Sequence, residues 1–250
     1  MDVPFWLSRA QMRRIEPFFP LSHGIPKVDD RRIVSGIVYV IKHGLMRRYA
    51  PKGYGPHKTI YNRFIRWSRL GVFNRIFPEL GGQAGEPDAL MIDATHLKAH
   101  RTAASLLKGG LFPEVSGAQG WTELQTSCRL RWAGQAYHPA PHRSQMSDHK
   151  GVALLLSSLP KAKVLLGDKG YDSDWFRAAL ASQGIAACIP PKANRKVQYH
   201  HNKQHYRQRN KIENLFGRIK DWRRVATRYD RCPHTFMSAI SIAATLCYWL

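Results

Sequence analysis

Acidic residues are scarce in this sequence. Only 17 Asp and Glu stand against 39 Lys and Arg in 250 residues, which gives a formal net charge of +22 and a pI near 10.3. Self-repulsion of this size is tolerated when the partner is a polyanion, so nucleic acid is the expected partner. An anionic membrane surface is a weaker explanation, because the basic residues are spread along the chain and do not form one juxtamembrane cluster.

Cysteine and long apolar runs are also sparse. The four cysteines lie far apart with no C-x-x-C pair, so neither a zinc knuckle nor a disulfide framework is indicated. The apolar stretch Thr235 to Leu250 is too short to span a bilayer comfortably, and we expect it to form a buried helix. The first residues lack the basic and apolar regions of a signal peptide. We therefore expect a cytoplasmic protein without membrane contact.

The first third of the chain has the pattern of helices. Ser8 can cap one helix, Asp29 precedes an apolar helix that ends at Gly44, and a basic helix from Lys58 to Leu70 follows a Gly/Pro-rich loop. This pattern predicts a helical, helix-turn-helix-like DNA-binding domain over residues 1–80. An ordinary helical bundle with a solvated basic face is the alternative. The candidate DNA contacts on the basic helix are Lys58, Asn62, Arg63 and Arg66.

The rest of the chain, after a plausible linker at residues 81–87, alternates strand and helix. This alternation predicts a mixed α/β domain over residues 88–250. Two short apolar runs end on aspartates, Ala89 to Ile92 on Asp93 and Val164 to Gly167 on Asp168. Strand ends are where an α/β sheet exposes its functional site, so both aspartates are candidate site residues.

A third carboxylate lies on a predicted helix from Tyr206 to Arg224. On a helical wheel, Tyr206, Arg209, Glu213 and Lys220 fall together along one edge of its apolar stripe. An i,i+4 ion pair between Arg209 and Glu213 is the simplest explanation of that edge. Together with the two strand-end aspartates, however, Glu213 can supply oxygen ligands to two Mg²⁺ or Mn²⁺ ions.

These residues resemble the signature of a known family. Tyr206-x2-Arg209-x3-Glu213-x6-Lys220 resembles the Y-R-E-K signature of DDE transposases in insertion-sequence groups four and five, and its surroundings resemble group five. Met91 to His96 and Leu166 to Asp172 resemble that group's two aspartate motifs, and Tyr54 to Phe64 resembles its DNA-binding region. The resemblance extends over most of the chain.

The resemblance implies an RNase H-like catalytic core behind the helical N-terminal domain. Asp93, Asp168 and Glu213 would be the catalytic triad and metal ligands. Tyr206, Arg209 and Lys220 would contact terminal DNA phosphates. The expected partners are transposon terminal inverted repeats, target DNA and a second copy of the chain. Two alternatives stay open: a degenerate transposase that only binds DNA, and an RNase H-like nuclease acting on other substrates.

One segment departs from this pattern. An RNase H-like core needs a strand hairpin after its first strand, but residues 109–144 show no sustained apolar–polar alternation. Pro139 and Pro141 would also break a central strand. The family pattern returns abruptly at Gln145. We interpret residues 109–144 as a compensated frameshift and expect the hairpin to be lost there.

Overall fold

The computed structural model describes residues 4–21, 28–82, 88–103, 123–131, 135–143, 156, 159, 161–196 and 198–250. The chain forms two compact units. Unit 1 comprises Met1–Glu79, Lys98–Thr122 and Arg218–Leu250, and unit 2 comprises Leu80–Leu97 and Glu123–Gly217.

Helices and strands among the described residues follow in the order α1 (Arg9–Ile15), α2 (Asp30–His43), α3 (His57–Arg69), α4 (Val72–Gly82), β1 (Ala89–Ala99), β2 (Glu123–Arg131), β3 (Gln135–Arg143), β4 (Val164–Leu166), α5 (Asp174–Ser182), β5 (Ala186–Cys188), α6 (Lys203–Tyr206), α7 (Asn210–Lys220), α8 (Arg223–Ala226), β6 (Thr227–Arg228) and α9 (Pro233–Tyr248).

Unit 1 is built around α2. Its N-cap Asp29 accepts a hydrogen bond from the Arg31 amide, and Gly44 ends it in the left-handed conformation, as the sequence predicts. Most side chains of α2 are buried, and α3, α8 and α9 pack against it. The predicted caps at Ser8 and Asp29 are therefore confirmed.

The C-terminal apolar stretch forms α9, which is buried along most of its length, as expected. Ser241 of α9 donates a hydrogen bond to Asn74 of α4 at 3.1 Å. In the described part of the chain, no helix is both long and apolar enough to cross a membrane. Because α9 packs on the N-terminal helices, unit 1 contains both the N-terminal and the C-terminal part of the chain. The domains expected from the sequence, residues 1–80 and 88–250, are instead two continuous stretches.

Unit 2 contains the parallel strands and α5. β1 pairs in parallel with β4, and β4 pairs in parallel with β5. Their apolar residues form one core with α5, whose N-cap is Ser173. The structure is thus a mixed α/β fold with a helical N-terminal region. β1 is longer than the apolar run predicts, so Asp93 lies within the strand and not at its end.

The segment expected to lack a hairpin contains one. β2 and β3 pair antiparallel, and the sheet runs in the order β3-β2-β1-β4-β5, with β6 pairing with the end of β1. The expectation was wrong because proline is tolerated at the end of a sheet. Pro139 and Pro141 pair with Cys128 and Thr126, two residues apart, so both occupy the same kind of position in the ladder, and an edge strand accommodates proline when the nitrogen points away from its neighbour.

Candidate active site

Strand register brings the two candidate aspartates to neighbouring positions. β1 pairs with β4 as far as Met91 and Leu166, and Asp93 and Asp168 each follow two residues later. Neighbouring strands lie about 4.8 Å apart, and side chains return to the same face every second residue. Asp168 is also held by its own turn, because its Oδ1 accepts a hydrogen bond from the Gly170 amide at 2.8 Å.

The guanidinium of Arg209 joins the first and third carboxylates. Its Nη2 lies 3.1 Å from Oδ1 of Asp93, and its Nη1 lies 2.8 Å from Oε1 of Glu213. The Arg209 and Asp93 side chains are largely buried, whereas Glu213 is 56% exposed. The Glu213 contact is the i,i+4 pair considered from the sequence. The contact with Asp93 joins the helical segment to the sheet, and an isolated helix pair does not explain it.

The helix that carries this group is shorter than the sequence predicts. α6 ends at Tyr206, a 3₁₀ turn covers Arg207–Arg209, and α7 begins at Asn210. Tyr206 and Arg209 therefore precede the helix of Glu213. Lys220 is exposed at the end of α7.

Charge around Arg209 affects its pKa and that of Tyr206. Burial acts to lower the pKa of Arg209, but Asp93, Tyr206, Asp168 and Glu213 outweigh it, so the pKa is raised. Burial raises the pKa of Tyr206, and Asp168 and Glu213 add to the rise while Arg209 opposes it. All three candidate carboxylates thus act on one cation.

The part of the chain that the structure describes contains no closely gathered group of metal-ligating side chains. Among the residues that the structure describes, no three His, Cys, Asp or Glu side chains are close enough to share one metal ion. The positive group between Asp93 and Glu213 is the Arg209 guanidinium.

Comparison with known proteins identifies the family. Residues 7–77 match the family described as "Putative transposase of IS4/5 family (DUF4096)", and residues 165–250 match "Transposase DDE domain". The chain is 30% identical over 111 residues to the Brucella ovis protein "Putative transposase for insertion sequence element IS6501", covering 44% of this chain and 85% of that protein. The chain belongs to the IS4/5-type transposases.

Two further similarities add no family name of their own. The Sinorhizobium fredii protein y4sN, named as uncharacterized, is 29% identical over 114 residues, covering 44% of this chain and 90% of that protein. A chain of the cryoEM structure of the simian T-cell lymphotropic virus intasome in complex with PP2A regulatory subunit B56 gamma aligns with a TM-score of 0.41 and 15% identity. The alignment covers 66% of this chain and 50% of that chain, and the score is too low to equate the two folds.

The transposase's candidate DNA contacts on α3 are not equivalent. Lys58, Asn62 and Arg66 are exposed and recur every four residues, so they share one face of the helix. Arg63 is half-buried, forms an ion pair with Asp30, and has its pKa lowered, chiefly by burial. Arg63 therefore has a partner within the protein, whereas Lys58, Asn62 and Arg66 present their side chains to solvent.

The sequence interpretation missed one residue close to the site. Asp172 directly precedes Ser173, the cap of α5, and its side chain is buried. It accepts hydrogen bonds from Arg177 and Arg195, the latter far along the chain. Local sequence patterns carry no signal for such a long-range partner.

Proposed function

We propose that the chain cuts DNA at the ends of its insertion sequence and joins the freed 3′-hydroxyls to a target. Asp93, Asp168 and Glu213 would be the ligands of two Mg²⁺ or Mn²⁺ ions. The observation that supports this most directly is the Arg209 bridge between Asp93 and Glu213, because it gathers residues that the resemblance groups into one site. The strand order β3-β2-β1-β4-β5 supports an RNase H-like core.

The residues present fit divalent metal ions. Carboxylate oxygens are the ligands that Mg²⁺ and Mn²⁺ prefer, and Asp93 and Glu213 already flank a positive group. When bound, two such ions would activate a water or a 3′-hydroxyl and stabilise the leaving oxygen.

The protein's own side chains would hold the DNA. Tyr206 and Lys220 would supply a hydroxyl and a point charge, and Arg209 would offer its forked cation to a phosphate in exchange for its contacts with Asp93 and Glu213. On α3, Lys58, Asn62 and Arg66 would contact the terminal repeat, and Arg63 would steady the helix through Asp30. Positioning of the scissile phosphate would supply a large part of the catalysis. A second copy of the chain would pair the two ends.

Glu213→Gln tests this proposal. We expect it to abolish strand cleavage of end-containing DNA in Mg²⁺ or Mn²⁺ while binding of the same DNA stays within about twofold, because the amide keeps the shape but loses the charge needed by the metal. Cleavage on gels and binding by fluorescence anisotropy measure the two. Glu16→Gln, the same change at an exposed residue of unit 1, is the control. Equal loss of cleavage and binding contradicts the role of Glu213.

A DNA-binding remnant without activity is the second candidate. One observation favours it: the positive group between Asp93 and Glu213 is the Arg209 guanidinium. In that case, the wild-type chain binds end DNA but does not cut it in either metal. An RNase H-like nuclease of other substrates is the third, and short inverted repeats flanking the gene argue against it.

A further inference from the structure

A buried carboxylate follows the candidate catalytic Asp168 by four residues. The Asp172 side chain has no exposed surface, and it accepts hydrogen bonds from Nε of Arg177 at 2.8 Å, Nε of Arg195 at 2.7 Å and the amide of Lys192 at 2.8 Å. A buried charge is tolerated only when it is paired and hydrogen-bonded. Asp172 meets both conditions.

The two arginines also contact residues other than Asp172. Arg177 donates to the carbonyl of Ile189 at 2.7 Å, and Arg195 donates to Asp174 at 2.7 Å. The ring of Tyr199 lies against both guanidiniums, 4.4 Å from Arg177 and 4.8 Å from Arg195. Through these contacts, Lys192, Arg195 and Tyr199 are connected to the turn that begins at Asp168.

Residues 192–196 also include two lysines, Lys192 and Lys196, whose ammonium groups are not part of this hydrogen-bond network. Two carboxylates face two guanidiniums, so the network itself is neutral. The ammonium groups of Lys192 and Lys196 have no ion-pair partner in the part of the chain that the structure describes, and Lys196 is exposed. An exposed lysine next to a residue held by ion pairs can bind a phosphate with little ordering cost on binding, and Lys196 follows Arg195 in this way.

We propose that residues 192–196, called the basic arm, bind the backbone phosphates of the DNA strand beside the Asp168 turn, and that Asp172 is the residue that positions this arm. The inference rests on the proposed function, because that function places DNA at this site. In the sequence, the arm lies between the turn of Asp168 and the segment that carries Arg209 and Glu213.

Two lysine variants test the arm. Lys196→Ala is expected to weaken binding of end-containing duplex by about fivefold and to reduce the slope of log affinity against log salt by about 0.9, the value for one phosphate contact. Lys161→Ala removes the same charge from an exposed residue outside the arm and is expected to change neither. Fluorescence anisotropy over a salt series measures both. If Lys196→Ala and Lys161→Ala have the same DNA affinity and the same salt slope, the proposed role of the arm is wrong.

Asp172→Asn tests the positioning role. We expect faster hydrogen exchange in peptides covering residues 190–199 and a loss of affinity similar to that of Lys196→Ala. Because Asp172 acts through the arm, the double variant Asp172→Asn/Lys196→Ala is expected to bind no more weakly than either single variant. A lower melting temperature with unchanged DNA affinity, measured well below that temperature, would show a structural role only and overturn the positioning role. Lys196→Ala keeps the test valid if Asp172→Asn does not fold.

Cleavage by the wild-type chain separates this inference from the proposed function. A wild-type chain that binds DNA through the arm but cuts nothing refutes the catalytic proposal and supports the arm. A wild-type chain that cuts end DNA, with Lys196→Ala binding as tightly as Lys161→Ala, refutes the arm alone.

Discussion

At the residue scale, Asp172 shows what keeps a buried carboxylate charged. Burial alone would raise its pKa, but the hydrogen bonds from the Lys192 amide, Arg177 and Arg195 outweigh burial and hold the pKa below its ordinary value. A carboxyl whose pKa is lowered by folding stabilises the protein above its unfolded pKa of about 3.9, and that stability is lost as pH falls through the folded pKa.

Asp172→Asn should therefore change how the free energy of unfolding depends on pH in acid, called here the acid limb. We expect the free energy of unfolding at neutral pH to fall by about 3 kcal/mol, because two arginines lose a buried partner. The dependence on pH below about 4 should also become flatter. Urea unfolding at a series of pH values measures both. Asp174→Asn, whose side chain is 78% exposed, is expected to change little, and an unchanged acid limb in Asp172→Asn contradicts the assignment.

The three candidate carboxylates could be singled out from the sequence, and their catalytic role stays a prediction, but their partners in the structure could not be predicted. Apolar runs ending on Asp93 and Asp168 are local signals, and Glu213 lies on a recognisable amphipathic segment. The contact of Arg209 with Asp93 depends on how a helical turn lies against a strand, and no local pattern encodes that. The i,i+4 pair with Glu213, which is local, was predictable.

At the scale of single elements, the end of α2 depends on Gly44. This residue has φ of 68°, and a Cβ added there would lie 2.7 Å from Cβ of Arg223. Gly71 has a similar φ of 66°, but a Cβ there would meet nothing within 4 Å. A substitution at Gly71 therefore adds backbone strain alone, whereas the same substitution at Gly44 adds backbone strain and steric overlap.

Gly44→Ala should be clearly more destabilising than Gly71→Ala. We expect about 1 kcal/mol for Gly71→Ala from left-handed strain alone, and about 1–3 kcal/mol more for Gly44→Ala from overlap with Arg223. Chemical denaturation with matched m-values measures the difference. Equal losses would mean that α8 shifts freely to accommodate the new methyl group.

The exposed stripe of α3 makes its own prediction. Arg66→Ala should weaken binding to the terminal sequence and reduce the salt slope by about 0.9, because one phosphate contact is lost. Arg13→Ala, an exposed arginine at the end of α1, is the control for net charge. An unchanged slope in Arg66→Ala removes this residue from the DNA contacts.

Elements in the N-terminal third were predicted well because their end signals are local. Ser8, Asp29 and Gly44 mark helix ends through caps that depend on adjacent residues only. β3 was missed because its prolines were judged against a central strand, whereas strand order places β3 at the end of the described sheet. Sheet order is a long-range property and leaves no trace in a short stretch of sequence.

At the scale of the whole molecule, the frameshift hypothesis for residues 109–144 stays a prediction. We expect one of the alternative reading frames of the coding DNA across this segment to encode two strands with apolar–polar alternation. The nucleotide sequence of the gene and its flanking DNA shows what the alternative frames encode. The same sequence shows whether terminal inverted repeats flank the gene. If neither alternative frame encodes such a hairpin, the hypothesis is wrong and the present segment is the native one.

The prolines of β3 have a consequence for the behaviour of the protein in solution. A sheet ordinarily ends in a row of unused amide donors, which can template strand addition by another molecule. Pro139 and Pro141 carry no amide hydrogen, and an edge strand accommodates proline with its nitrogen facing away from the sheet. An incoming strand would then find fewer hydrogen bonds along β3, which disfavours self-assembly through this end of the described sheet.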